Sequence, residues 1–151
     1  MPDETGTAFA AKNPGFEALV RASFEKQTFM ATLGATLELV EPGRVHIGVP
    51  FDASRCQQNG YLHAGVLASV ADSACGYAAL SLAPPGYDVL AVEFKINLLR
   101  PASALRFLAC AEVLRAGRTL TVSRADVFGL APSGRELVAT LLSTVIARPI
   151  A

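Results

Sequence analysis

The sequence predicts an α+β domain in which one apolar helix packs against a strongly twisted antiparallel sheet. Three observations carry this. Residues 64–82 (AGVLASVADSACGYAALSL) contain no Pro, Lys, Arg or Glu and are dominated by small side chains, so a sheet can approach that helix closely on several sides. Four runs with strand alternation follow, over 88–99, 104–114, 119–130 and 136–147, with short connections that favour an antiparallel meander. The chain has 151 residues, 52% of them hydrophobic and 17% charged, a length and balance suited to one domain with a full core.

The elements follow in order. Residues 1–15, with Pro, Asp, Glu, Gly and Thr, read as a flexible N-terminal segment ahead of one domain over 16–151. Phe16, Leu19, Val20, Ser23, Phe24 and Gln27 recur at helical spacing, with Met30 and Leu33 beyond them. This predicts an amphipathic helix over 16–31 that Gly34 is placed to end. Residues 35–50 read as a hairpin. Leu37 and Leu39 share a face, Pro42-Gly43 turns the chain, and Val45, Ile47 and Val49 alternate with His46 and Gly48. Residues 51–62 form a polar loop with a tight turn at Asn59-Gly60, and Pro84-Pro85-Gly86 terminates the apolar helix.

In 88–99, Leu90, Val92, Phe94, Ile96 and Leu98 take one face and Ala91, Glu93, Lys95 and Asn97 the other. In 104–114, Leu105, Phe107, Ala109, Ala111 and Val113 alternate with more polar neighbours, and Ala116-Gly117-Arg118 turns the chain. The next run is mixed: Leu120, Val122 and Phe128 share a face with Arg124 and Asp126, which puts part of that strand near solvent or ligand. Pro132-Ser133-Gly134 leads into the closing strand. Alternation licenses a sheet but leaves open how the first hairpin joins the rest.

Composition narrows the function. Lys plus Arg and Asp plus Glu each number 13, so the basic excess of a nucleic-acid surface is missing. Cys56, Cys75 and Cys110 match neither a disulfide framework nor zinc-site spacing. Two histidines without HExxH or a carboxylate cluster predict no metal, and there is no GxGxxG, Walker A or GxSxG motif. No apolar stretch approaches the roughly 20 residues of a membrane span, and no signal-peptide pattern opens the chain; a cytoplasmic protein is expected. So apolar a small domain is expected to cover part of its surface by self-association.

The segment 57–76, QQNGYLHAGVLASVADSACG, carries the chemistry. His63 stands at the helix start, where the N–H groups of Ala64, Gly65 and Val66 lack intrahelical acceptors and can bind an anion or a carbonyl oxygen gaining charge. His63 also reads as a plain helix cap. Asp72 interrupts an otherwise uncharged helix; it is either a structural carboxylate bonded to a loop or, raised in basicity by burial, a general base. His63 and Asp72 are nine residues apart, or about 13 Å along a helix. They cannot meet within one chain, so a shared site needs a second subunit, and a two-fold dimer makes such a site twice. Gln57, Gln58 and Asn59 are weaker candidates for orienting a thioester or a water, and Arg100, Arg118 and Arg124 for meeting phosphates. Glu93, Lys95, Asn97 and His46 read as surface or interface, and Cys75 as core packing.

The stretch from Asn59 to Ala79 resembles the hotdog-fold acyl-CoA thioesterases of the phenylacetate-degradation (PaaI-like) type. His63-Ala64-Gly65 stands where that family has His-Gly-Gly, and Ala71-Asp72 follows at the family's spacing. Val92-Glu93-Phe94-Lys95-Ile96-Asn97 before Arg100-Pro101-Ala102 resembles the strand after the central helix, and the likeness runs over about residues 16–148. The resemblance implies a hotdog fold and hydrolysis of an acyl-CoA, without a cofactor, by a dimer or tetramer. It implies Asp72 as base or nucleophile and the Ala64 amide as the donor that polarises the carbonyl. His63, with Gly65 after it, would hold the loop at the helix start or orient the thioester, Gln57 or Asn59 would position the water, and Arg118 and Arg100 would meet the CoA phosphates. Two positions depart from the family: Ala64 replaces a glycine but keeps its N–H, and Ala91 stands where some relatives carry a hydroxyl near the water. An acyl-CoA binding or sensing module without efficient hydrolysis is the alternative that Ala91 leaves open. A hydratase-like enzyme fits the helix-borne Asp72 less well.

Overall fold

Six alternating segments pair into one antiparallel sheet that curls around a single long helix. The computed structural model describes residues 8–151. The order is α1 (Phe16–Lys26), α2 (Thr28–Thr32), β1 (Thr36–Glu41), β2 (Arg44–Pro50), a 3-10 turn (Ala53–Arg55), α3 (Ala64–Leu80), β3 (Tyr87–Leu98), β4 (Arg106–Ala116), β5 (Leu120–Ala131) and β6 (Gly134–Pro149). The strands lie in the order β1-β2-β4-β5-β6-β3. This is the α+β hotdog fold, a sheet wrapped around a central apolar helix.

Small residues let the two layers close. Val70, Ala71, Ala74 and Ala78 of α3 are fully buried, and so are Ala109 of β4 and Ala125 of β5 facing them. Phe107 is the bulkiest fully buried side chain and anchors one end of this core. Every ångström of approach that alanine permits adds dispersion contact along the whole helix. No helix among the described residues is long and apolar enough to cross a membrane.

Several expectations change. The first helix is broken: Gln27 adopts φ −79° and ψ 92°, so α1 ends at Lys26 and α2 restarts at Thr28. The Gln27 side chain is bonded to α3, and those tertiary bonds override the local 3.6-residue period. Gly34, at φ +65°, does end α2.

The last four strands are not one meander. β4, β5 and β6 are, but β3 pairs with β6 at the far edge. Residues 99–105 carry the chain back across three strand spacings. That is about 14 Å, and seven residues can reach about 23 Å, so the crossing is easily made.

The apolar face of β3 is split. Ala91 pairs with Val145 and Glu93 with Thr144, so Val92 is an extra residue and the pleat flips there. Tyr87, Val89, Ala91, Phe94, Ile96 and Leu98 therefore share the helix side, opposite buried Leu141, Ser143 and Val145, while Leu90 faces outward with Glu93 and Lys95. The mixed face of β5 also points outward, because Thr121, Ser123, Ala125 and Val127 are the buried set.

Of the predicted flexible segment, residues 1–7 lie outside the described residues, and Phe9 packs against the core. It covers the β1–β2 turn at Gly43, where φ is +76° and a Cβ would meet the Phe9 ring at 2.9 Å.

Candidate active site

The loop before α3 is tied at both ends. Arg55 donates from Nη1 to the Leu33 carbonyl and from Nη2 to the Thr32 carbonyl, both at 2.6 Å, which satisfies the C-terminal end of α2. The Arg55 carbonyl then accepts the His63 N–H at 2.9 Å. This holds His63 at φ −61°, ψ 138°, the extended conformation of an N-cap. His63 Nδ1 accepts the Gly65 N–H at 2.8 Å, so in the neutral ring Nε2 carries the hydrogen. Its carbonyl accepts the Val66 N–H at 2.9 Å.

Two of the three helix-start donors expected to be free are thus used within the turn. Gly65 and Val66 serve the cap, and only the Ala64 N–H has no protein acceptor among the described residues. Ala64 opens onto a cleft of about 420 Å³, with Gln57, Tyr61, Leu62 and Leu67 on one side and residues 98–102 on the other.

Gln57 reaches this cleft and Asn59 does not. Asn59 sits at the turn tip beside Gly60, and its N–H donates to Gln57 Oε1 at 2.5 Å. That bond leaves the Gln57 Nε2 hydrogens directed elsewhere. Arg100 lines the same cleft, paired through Nε to Glu136 at 3.0 Å and through Nη1 to the Leu137 carbonyl at 3.0 Å. Arg118 stands apart, with Lys12, in a cleft of about 210 Å³ beside Ala79 and Ala83 at the other end of α3. The two arginines expected to meet phosphates therefore do not converge within one chain.

Asp72 lines a third cleft, of about 290 Å³, walled by α3, the end of α1 and the start of β3. It is half-buried, and Oδ1 is fully buried with no hydrogen-bond partner among the described residues. Burial holds its carboxyl above the ordinary carboxylate value. Burial, and then the Asp72 charge, push the Cys75 thiol upward, so Cys75 is inert packing as its position suggested. Among the described residues no histidine or arginine pairs with Asp72, and no bond there supports the reading of a structural carboxylate tied to a loop.

A polar network beside Asp72 was missed in the sequence. Gln27 Nε2 donates to the Tyr77 hydroxyl at 2.9 Å, and Ser73 Oγ donates to Gln27 Oε1 at 3.0 Å. Ser73 and Tyr77 are four apart on α3, a spacing that signals a shared face, but Gln27 gave no signal beyond its place in a helical pattern. Met30 is in the core, while Tyr61 and Leu62 line the Ala64 cleft.

A sheet curled around one helix, with a capped helix start and a half-buried carboxylate further along it, is the hotdog arrangement. Comparison with known proteins agrees. A model of the Thioesterase superfamily matches residues 59–130. A thioesterase family protein of Silicibacter pomeroyi, known from its crystal structure, is 46% identical, over 90% of this chain and 100% of that one, with a TM-score of 0.88. The chain belongs to the thioesterase superfamily. E. coli PaaI, from the phenylacetic acid degradation operon, shares the fold at 22% identity and a TM-score of 0.80, over 93% of this chain and 97% of that one. A relative in Saccharolobus solfataricus, carrying an esterase name, is 34% identical over 83 residues, which are 55% of this chain and 59% of that protein.

Proposed function

We propose that the protein hydrolyses an acyl-CoA thioester to the free acid and CoA, at a site shared by two copies of the chain in the cytoplasm. The observation that carries this reading is where the two clefts sit along β3. The Ala64 cleft is walled by Leu98 at one end of the strand, and the Asp72 cleft by residues 88–91 at the other. β3 is also an edge strand of twelve residues. On its helix side Phe94 is 45% and Leu98 53% exposed. A long apolar edge invites pairing with another strand. If two copies pair antiparallel along β3, the end near residue 98 of one lies opposite the end near residue 90 of the other. The Ala64 cleft of each copy then meets the Asp72 cleft of its mate.

In that shared cleft the Ala64 N–H donates to the thioester oxygen as it gains charge. Asp72 of the second copy takes the proton of an attacking water, or attacks the carbonyl itself to give an anhydride that water then opens; in either course the C–S bond breaks and CoA leaves as the thiol, taking up a proton. Gln57 Nε2 holds the water or the thioester in line, His63 keeps the helix start rigid, and Gly65, bonded to His63, completes the cap. Arg100 meets the CoA moiety from the Ala64 side, and Arg118, at the far end of α3, reaches it only across the assembled dimer. Further pairing of dimers into a tetramer is compatible with the outward apolar residues of β3 and β5.

The test is CoA release from short, medium, long and aryl acyl-CoAs, with Asp72→Ala as the control. Turnover by the wild type is expected on part of the panel, with a loss of about 10²–10⁴-fold in the variant. An Asp72→Ala variant as fast as wild type removes Asp72 from the reaction. Ala91 lines the Asp72 cleft and offers no hydroxyl. Tight binding without turnover across the whole panel makes the chain an acyl-CoA binding module instead.

A further inference from the structure

The Asp72 cleft runs into a polar end wall. Ser23, Gln27, Ser73 and Tyr77 all line it. Gln27 is held outside helical geometry to bridge Ser73 and Tyr77, and the Tyr77 ring is buried edge-on against Phe24. The Ser23 and Tyr77 hydroxyls are 3.5 Å apart. They share one contact, so whichever of them donates, the other keeps a hydrogen with no protein acceptor among the described residues. A donor at the end of a cleft in this state is completed by a ligand oxygen and left unpaired by a methyl group.

The direction of the substrate follows from the walls. The CoA arm needs a way out to solvent, and the Ala64 cleft supplies one, because Tyr61, Leu99, Arg100 and Pro101 are all exposed. The Asp72 cleft opens past exposed Asp88, Leu90 and Ala91 but ends against buried Tyr77 and Leu80. It therefore takes the acyl tail. At about 290 Å³ it is at the small end of ligand sites, which usually run about 300–1,000 Å³.

We propose that Gln27, Tyr77 and Ser73 form the specificity element of this site, selecting a short acyl group with a hydrogen-bonding substituent at its far end over an alkyl tail of equal length. The inference rests on the thioesterase reading for its substrate and extends it to the acyl class. Sites built to pair a substrate hydroxyl reject the analogue that lacks it, because their own polar group is stranded.

The experiment compares 4-hydroxybutyryl-CoA, its uncatalysed lactonisation subtracted, with pentanoyl-CoA, near-isosteres that differ in a terminal hydroxyl against a methyl. Both kcat/KM and calorimetric affinity for the matching 2-oxoalkyl thioethers of CoA, which cannot be hydrolysed, are measured for wild type, Tyr77→Phe and Gln27→Leu. The wild type is expected to favour the hydroxylated member by about tenfold or more. Both variants are expected to bring that ratio close to one, a change that a merely structural loss, acting on both ligands alike, does not produce. A wild-type preference for pentanoyl, or a ratio unmoved in both variants, overturns the proposal. If the affinity ratio behaves as expected but neither thioester is hydrolysed, the specificity element stands and the hydrolytic reading falls. If either variant does not fold, the other variant and the wild-type ratio decide.

Discussion

The start and the middle of α3 are opposites. At the start, polar groups are exposed and mutually satisfied: His63 caps Gly65, the Arg55 carbonyl holds His63, and one amide, Ala64, is left over. In the middle, a carboxylate is half-buried with one oxygen unpartnered among small apolar neighbours. One place offers a positive dipole end to an oxygen, the other a basic oxygen to a proton. The lesson is that a helix can hold both halves of a reaction and still be unable to bring them together, because about 12 Å of rise separates Ala64 from Asp72.

The sharpest way to break this contrast is Ala64→Pro. Proline at the first helical position keeps the turn, and His63 already has the extended conformation that a following proline requires, so the substitution deletes one N–H and little else. Thioester hydrolysis is expected to fall about 10²–10³-fold, whereas Ala64→Val, which adds bulk but keeps the N–H, falls much less. Equal losses in the two variants would assign the effect to crowding.

Mixing follows. Asp72→Ala and Ala64→Pro chains, each nearly inactive alone, are expected to regain about a quarter of wild-type activity when refolded together in equal amounts. Half the dimers are then mixed, and each mixed dimer has one intact site of two. No recovery in verified mixed dimers would put both residues on one chain's reaction path and end the shared-site account.

His63→Ala sharpens the comparison at the helix start. Losing the Nδ1 acceptor for the Gly65 N–H is expected to lower stability by about 1 kcal/mol, read from urea unfolding. Unchanged stability would mean that another group caps α3.

The smallest effect is on pH. Burial keeps Asp72 protonated in the folded chain at pH values where the unfolded chain has lost that proton. Wild-type stability should therefore fall, relative to Asp72→Asn, as pH rises from the ordinary carboxylate value through the raised one, and level off above it. Parallel pH profiles for the two proteins would show that Asp72 is better solvated than its unpartnered oxygen implies.

Much of the site is legible in the order of the amino acids. Asp72 stands out because a charge in a run of alanines and glycines has few reasons to be there, and His63-Ala64-Gly65 because it stands where a polar loop gives way to a run of small apolar residues. Gln27 is not legible in that way: its role depends on Tyr77, fifty residues away, and its spacing is that of any helix position. The use of Gly65 and Val66 by the cap is hidden too, since it depends on how the His63 ring is turned.

Composition and period alone determined that α3 is an apolar helix of small residues and that strand segments precede and follow it, because those properties belong to each segment by itself. Only the tertiary structure decided which face of β3 meets the helix and which strand it joins. One extra residue at Val92 inverts the alternation, and the hydrogen bonds to β6, not any property of β3 taken alone, set where that residue falls.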